Sequence, residues 1–201
     1  ASTQRYVIIR IIMPGKIIII SAPSGCGKST IINAILSQGD IDLQFSVSAT
    51  SRPPREGEVH GVNYFFFTVQ EFREKISQDA FVEYEEVYAG RFYGTLKSEV
   101  ERICDQGHNV ILDIDVKGGV NVKRLYGDRA ISIFIMPPSV EELRRRLETR
   151  NTDSQEMINE RVGKAQYEIG FAPQYDCRIV NDDLEIAINQ TRTTILNFIN
   201  K

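Results

Sequence analysis

The chain has 201 residues, 42% of them hydrophobic and 25% charged, the proportions of one globular domain with enough apolar side chains for a sizeable core. A formal net charge of −3 argues against a dedicated nucleic-acid binder, which carries a basic excess. Three cysteines (Cys26, Cys104 and Cys177) with no C-x-x-C pair, and only two histidines, argue against a disulfide framework or a structural zinc site, so reduced thiols and a cytoplasmic location are expected.

Residues 1–15 are apolar but interrupted by Arg5 and Arg10, with no small-residue cleavage site after them. That fits neither a secretory signal nor a membrane span, which needs roughly 20 apolar residues. The segment is expected to be an extra strand or an ordered arm, with a weak transit peptide as the alternative. Lys16 to Ser21, KIIIIS, is a β-branched run without alternation, as in a strand covered on both faces of a parallel sheet. A glycine-bearing loop follows, and Ile31, Ile32, Ile35 and Leu36 then suit a helix.

Strand, glycine loop and helix in that order make a phosphate-binding unit. The loop comprises Ala22, Pro23, Ser24, Gly25, Cys26, Gly27, Lys28, Ser29 and Thr30. Gly25 and Gly27 permit backbone conformations in which successive amides face phosphate oxygens. The helix N-terminus adds positive potential. Lys28 supplies a mobile charge for the β- and γ-phosphates of a nucleoside triphosphate, and Ser29 a hydroxyl for its Mg²⁺. Ala22 stands where the general G-x-x-x-x-G-K-[ST] pattern has its first glycine. Cys26 reads as a small neutral filler.

Ser46 to Phe67 carries Arg52 and Arg55, with Pro53 and Pro54 between them. Two guanidiniums converging there suit a second phosphate group, to which Tyr64 and Tyr93 can add hydroxyls. A solvated loop with ion pairs to Glu56 and Glu58 is the alternative. Thr68 and Glu71 form a capping box before Phe72 and Ile76. Val110 to Asp115, VILDID, and Ile131 to Met136, ISIFIM, read as buried strands. Alternation places Asp113 and Asp115 on one face at the strand's C-terminal end, where open α/β sheets bind ligands.

Ser139 and Glu142 form a second capping box. Residues 139–170 hold six Lys or Arg and seven Asp or Glu, so the segment is not basic overall. Arg146 and Arg150 share a helix face, and Arg161 lies beyond the turn near 151–153. Arg144 and Arg145 read as solvated. Arg178 to Asn181 is a fourth, shorter strand. Leu184, Ile188, Thr191, Ile195 and Ile199 share one face of a terminal helix. The alternation predicts a right-handed α/β sandwich with insertions at 47–95 and 139–170 on a core of 16–46, 96–138 and 171–201.

SATSRPPREGEVHGVNYFF, FVEY (81–84), FYGT (92–95), ILDIDVKGG (111–119) and IVNDDL (179–184) fall in the order and spacing of guanylate kinases. From about Lys16 to the end, the chain resembles that family. The resemblance implies a P-loop NTPase three-layer sandwich carrying a GMP-binding segment and a lid. It implies that Arg52, Arg55 and Tyr64, with Tyr93, hold the phosphate of GMP, Glu58 being placed in the same set. It further implies that Ser48, Glu83 and Thr95, helped by Asp115, recognise guanine, with Asp113 near the loop arginines. Thr95 stands where the family often has serine and keeps the hydroxyl. Arg146, Arg150 and Arg161 match arginines of a mobile lid that closes over the triphosphate. Together with Lys28 and Arg52 they form the expected catalytic set.

The implied reaction is Mg²⁺-dependent transfer from ATP to GMP or dGMP, without an obligate protein partner, nucleic acid or membrane. A phosphopeptide-binding scaffold module of the same fold is a second reading. It is disfavoured by the intact Lys28 and Ser29. A kinase for another phosphorylated acceptor is a third.

Overall fold

The computed structural model describes residues 13–150 and 152–201. The expectation for the N-terminal arm falls largely on residues 1–12, outside the described residues. A five-stranded parallel sheet forms the centre, in the order β2 (Leu43–Phe45), β7 (Asn109–Asp113), β1 (Ile17–Ser21), β8 (Ala130–Met136), β9 (Cys177–Val180). The run of four isoleucines in β1 is explained by its central place. Ile18 and Ile20 pack with Ile31, Ile32 and Ile35 of α1 (Lys28–Gln38) and Ile195 of α7 (Leu184–Ile199). Ile17 and Ile19 face Val100 and Ile103 of α3 (Lys97–Asp105) and Val122 of α4 (Val116–Tyr126) on the other side. All four isoleucines are fully buried, so neither face offers a polar alternate position. The fold is an α/β sandwich with a parallel core sheet.

A second, mixed sheet is built from residues 49–96, in the order β4 (Phe65–Phe66), β3 (Ala49–Thr50), β6 (Arg91–Leu96), β5 (Phe81–Tyr88). It has its own small core. Phe72 of α2 (Val69–Ser77) stacks on Phe81 and Phe92 at centroid distances of 4.4 and 5.1 Å. The capping box at Thr68 forms in both directions, with Glu71 returning to the Thr68 amide at 2.7 Å. Residues 140–169 form two helices, α5 (Val140–Arg150) and α6 (Gln155–Ile169). Among the described residues no helix is long and apolar enough to cross a membrane.

The structure departs from the sequence reading at several points. The strand VILDID ends at Asp113. Asp115 is instead the N-cap of α4, its carboxylate accepting from the Gly118 amide, because a short acceptor before a helix satisfies an otherwise unpaired first-turn donor. The strand-like stretch 64–68 shrinks to Phe65–Phe66, since Thr68 is taken as a helix cap. Ser139 caps the Glu142 amide at 3.0 Å, but the Glu142 carboxylate turns away to Arg145 and Arg146, so that box is only half made. On α7 Leu184 is 40% exposed, whereas Thr191 and Ile195 are buried as expected, Ile188 and Ile199 pack against the same core, and Ala187 joins them.

Candidate active site

The site begins where β1 stops. Gly25 and Gly27 both take left-handed conformations, with φ of 82° and 81°, which residues with a Cβ rarely adopt. The chain turns there into α1, whose first-turn amides have no intrahelical carbonyl to meet. Ser21 is buried and its hydroxyl donates to the Ile114 carbonyl at 2.8 Å, tying the loop's entry to the end of β7. Together the loop residues 22–30, Asp113 to Lys117, and Lys164, Tyr167 and Glu168 of α6 line a cavity of about 530 Å³.

Lys28 makes an ion pair with Asp113. The family resemblance placed Asp113 beside the loop arginines. It sits instead on the lysine of the phosphate loop, because β7 lies next to β1 and ends level with it.

A second cavity of about 310 Å³ opens beside the first, lined by Phe45, Ser48, Asn63, Tyr64, Glu83, Tyr93 and Gly94. Glu85, Asp113, Ile114 and Asp115 border both cavities. Glu83 stands opposite Thr95 in the β5–β6 hairpin, and Glu85 opposite Tyr93. Residues two apart on a strand share a face, so both carboxylates turn the same way. The Thr95 hydroxyl donates to Glu83 Oε1 at 2.8 Å. Burial pushes the Glu83 carboxyl up to about 7, the charges of Asp115 and Glu85 add to the rise, and the Thr95 hydrogen bond partly offsets it.

Arg52 is nearly buried and is gripped by both oxygens of Glu58, at 2.8 and 2.9 Å. Its guanidinium lies 5.4 Å from the Tyr64 ring centroid and 5.7 Å from that of Phe66. The Arg55 amide donates to Glu58 at 2.7 Å, while the Arg55 side chain is exposed. Arg52, Arg55 and Glu58 do not line the second cavity, although Arg52 rests on Tyr64, which does. Glu58, expected among the GMP-binding residues, is here the acceptor that orients Arg52. The Arg52 hydrogen bonds hold the Glu58 carboxyl down at about 2, against an ordinary 4.5, with the Arg55 amide helping. A depressed carboxyl stabilises the fold above its unfolded value and loses that contribution as pH falls through its folded value. Stability is therefore expected to drop between about pH 4.5 and 2, and Glu58→Gln is expected to remove that component; acid titrations of both proteins followed by circular dichroism check it.

The three arginines expected of the lid, Arg146, Arg150 and Arg161, do not line the first cavity. Arg146 donates to the Glu142 carboxylate at 2.8 Å and to the Asn181 carbonyl at 3.1 Å. Arg161 pairs with Asp153 at 2.9 Å, and Arg150 is exposed. The α6 residues that do reach the cavity are Lys164, Tyr167 and Glu168, which the sequence reading passed over. Lys164 and Glu168 pair at 3.7 Å. Burial raises the Glu168 carboxyl, which the nearby Lys164 counters. Glu85 was also passed over, and its two-residue spacing from Glu83 was the available signal. Arg145 pairs with Glu142 and Arg144 donates to Asn159, both at exposed positions.

A parallel sheet with a glycine loop, a lysine and a helix N-terminus at the end of its central strand defines an α/β protein of the P-loop class. Residues 14–197 match the family model described as guanylate kinase. A guanylate kinase of Bacteroides thetaiotaomicron is 59% identical over 189 residues, covering 94% of this chain and 92% of that protein. One from Porphyromonas gingivalis is 56% identical over 186 residues, covering 92% and 99%. The crystal structure of guanylate kinase from Anaplasma phagocytophilum superposes with a TM-score of 0.70 at 33% identity, covering 94% of this chain and 88% of that one. The chain belongs to the guanylate kinase family.

Proposed function

We propose that the enzyme transfers the γ-phosphoryl group of ATP, delivered as its Mg²⁺ complex, to GMP and dGMP, serving purine nucleotide metabolism in the cytoplasm. The observation that carries this reading is the pair of cavities with a common wall at Asp113 to Asp115. One has a phosphate loop, the other a guanine-matched carboxylate. Guanine presents N1–H and a 2-amino group side by side, and one carboxylate accepts from both. Adenine has an acceptor at N1 and no 2-amino group, so it leaves Glu83 desolvated and unpaired.

In this reading a GMP phosphate oxygen attacks the γ-phosphorus in line, the bond to the β,γ-bridging oxygen breaks, and ADP leaves. A phosphate monoester has a second pKa near 6, so the nucleophile is largely ionised at neutral pH and no strong base is needed. Lys28 leaves Asp113 to follow the transferring charge. Ser29, in the first turn of α1 and lining the same cavity as Asp113, suits Mg²⁺, a hard cation that keeps phosphate and water oxygens and takes few protein ligands. Arg52 and Arg55, with Tyr64 and Tyr93, hold the GMP phosphate, and Ser48 and Thr95 complete the guanine pocket. Closure of 139–170 brings Arg146, Arg150 and Arg161 to the phosphates and excludes water. The direct test incubates the protein with ATP, Mg²⁺ and GMP and resolves nucleotides by anion exchange. ADP and GDP are expected in equal amounts; ADP with unchanged GMP contradicts the reading.

The Glu83 carboxyl near 7 gives a pH prediction. Guanine binds the ionised form, so KM for GMP is expected to rise as pH falls below about 7, approaching tenfold per unit. The GMP phosphate adds its own dependence below about 6. A pH series on wild type and Glu83→Gln separates the two, because only the wild type carries the step near 7.

A further inference from the structure

Two adjacent glycines, Gly118 and Gly119, stand in the first turn of α4, and both are buried. Neither takes a left-handed conformation, so no turn requires them, and glycine is less favourable than alanine within a helix. What they leave is room for close approach. A Cβ on Gly119 would overlap the hydroxyl of Tyr175, a buried side chain that donates to the Val116 carbonyl at 2.9 Å. Gly119 therefore serves packing.

Gly118 meets different neighbours. A Cβ there would lie 2.8 Å from Asp115 Oδ1, 3.2 Å from Glu83 Oε2 and 3.4 Å from Glu83 Cγ. These are the two carboxylates that border the second cavity from α4 and from β5. Glu83 is thus held between the Thr95 hydroxyl, which donates to Oε1 at 2.8 Å, and the bare Cα of Gly118 on the side of Oε2. A methyl group at Gly118 is too close for relaxed contact, so both carboxylates must move. They have somewhere to go, because a further cavity of about 420 Å³ is lined by Glu83, Asp115, Gly118 and Asn121 among others. Alanine also keeps the backbone amide from which Asp115 accepts as N-cap. The move is therefore cheap for the fold but displaces the groups that face the second cavity. We infer that Gly118 is a positioning residue for purine recognition, its bare Cα setting where the Glu83 and Asp115 carboxylates stand.

The inference rests on the reading of Glu83 as the acceptor for guanine. The test uses the full chain and measures GMP and ADP binding separately by calorimetry, with steady-state KM for GMP and a thermal melt. Gly118→Ala is expected to weaken GMP binding and raise KM for GMP by about tenfold or more, with ADP binding within about twofold and the unfolding midpoint within a few degrees of wild type. Gly119→Ala, the packing control, is expected to lower the midpoint. Added to Glu83→Ala, Gly118→Ala is expected to change kcat/KM for GMP by less than about threefold, because residues that share a partner are not additive. GMP binding by Gly118→Ala within twofold of wild type, equal weakening of ADP and GMP, full additivity in the double variant, or a Gly118→Ala protein that does not fold overturns the positioning role. Glu83→Ala binding GMP as tightly as wild type overturns the reading of the cavity, and the positioning role with it.

Discussion

Lys28→Ala is expected to lower kcat by about 10³-fold or more while leaving GMP binding within twofold. Lys28 is the cation that springs from the phosphate loop itself, and it is already held by a carboxylate of the sheet, Asp113. Its mobile ammonium can leave that partner and track negative charge as the phosphoryl group moves. Truncation removes an interaction that strengthens in the transition state, so kcat falls rather than KM for GMP. Both members of the pair are roughly a quarter exposed, and a partly solvated ion pair contributes little to folding. The unfolding midpoint of Lys28→Ala should therefore stay close to wild type, which separates lost chemistry from lost structure. Steady-state kinetics with a thermal melt on the same preparation checks both; near-normal turnover sinks the mechanism.

Glu83→Gln is expected to lower kcat/KM for GMP by about 10²- to 10⁴-fold, because a site built on hydrogen bonds discriminates strongly when a partner is lost. The same substitution should make the nucleotide-free protein more stable at neutral pH. The Glu83 carboxyl is raised from 4.5 to about 7. The fold therefore prefers it protonated, and a penalty for ionising it is absent below about pH 4.5, grows between 4.5 and 7 and is complete above 7. Glutamine cannot ionise. Melting curves of the two proteins should agree near pH 4.5 and separate by roughly a few degrees at pH 8, with the variant higher. Loss of activity with a gain in stability is the signature of a group kept for binding rather than folding.

The core sheet was readable because its strands are continuous apolar runs whose meaning does not depend on distant partners. KIIIIS followed by SGCGKS states a buried strand, a left-handed turn and a helix start within a dozen residues. The second sheet was less readable. Its strands β3 and β4 are two residues each, too short for periodicity; in the core sheet the same holds for the edge strand β2, with only three half-exposed or exposed residues. The role proposed for Glu83 was invisible to composition, since it sits in the acidic run 83–86. Only the hairpin register with Thr95 separates it from its neighbours.

The pairing of Lys28 with Asp113 depends on two strands 92 residues apart becoming neighbours, which no local pattern states. Asp115 was misread because alternation was continued one step past the end of the strand. The bidentate pair of Arg52 and Glu58 was present among the alternatives as an ordinary ion pair, and in the structure Arg52 rests on Tyr64, which lines the second cavity. For residues 139–170, the family resemblance pointed to Arg146, Arg150 and Arg161. The α6 residues that line the cavity with the phosphate loop are instead Lys164, Tyr167 and Glu168.

The central claim is that the second cavity reads guanine. One coupled assay offering GMP, AMP, CMP and UMP in parallel, each with ATP and Mg²⁺, tests it most directly. ADP production with GMP is expected to be at least about 10³-fold more efficient than with any of the other three; a preference for AMP, or comparable rates with all four, rules out guanine recognition by this cavity.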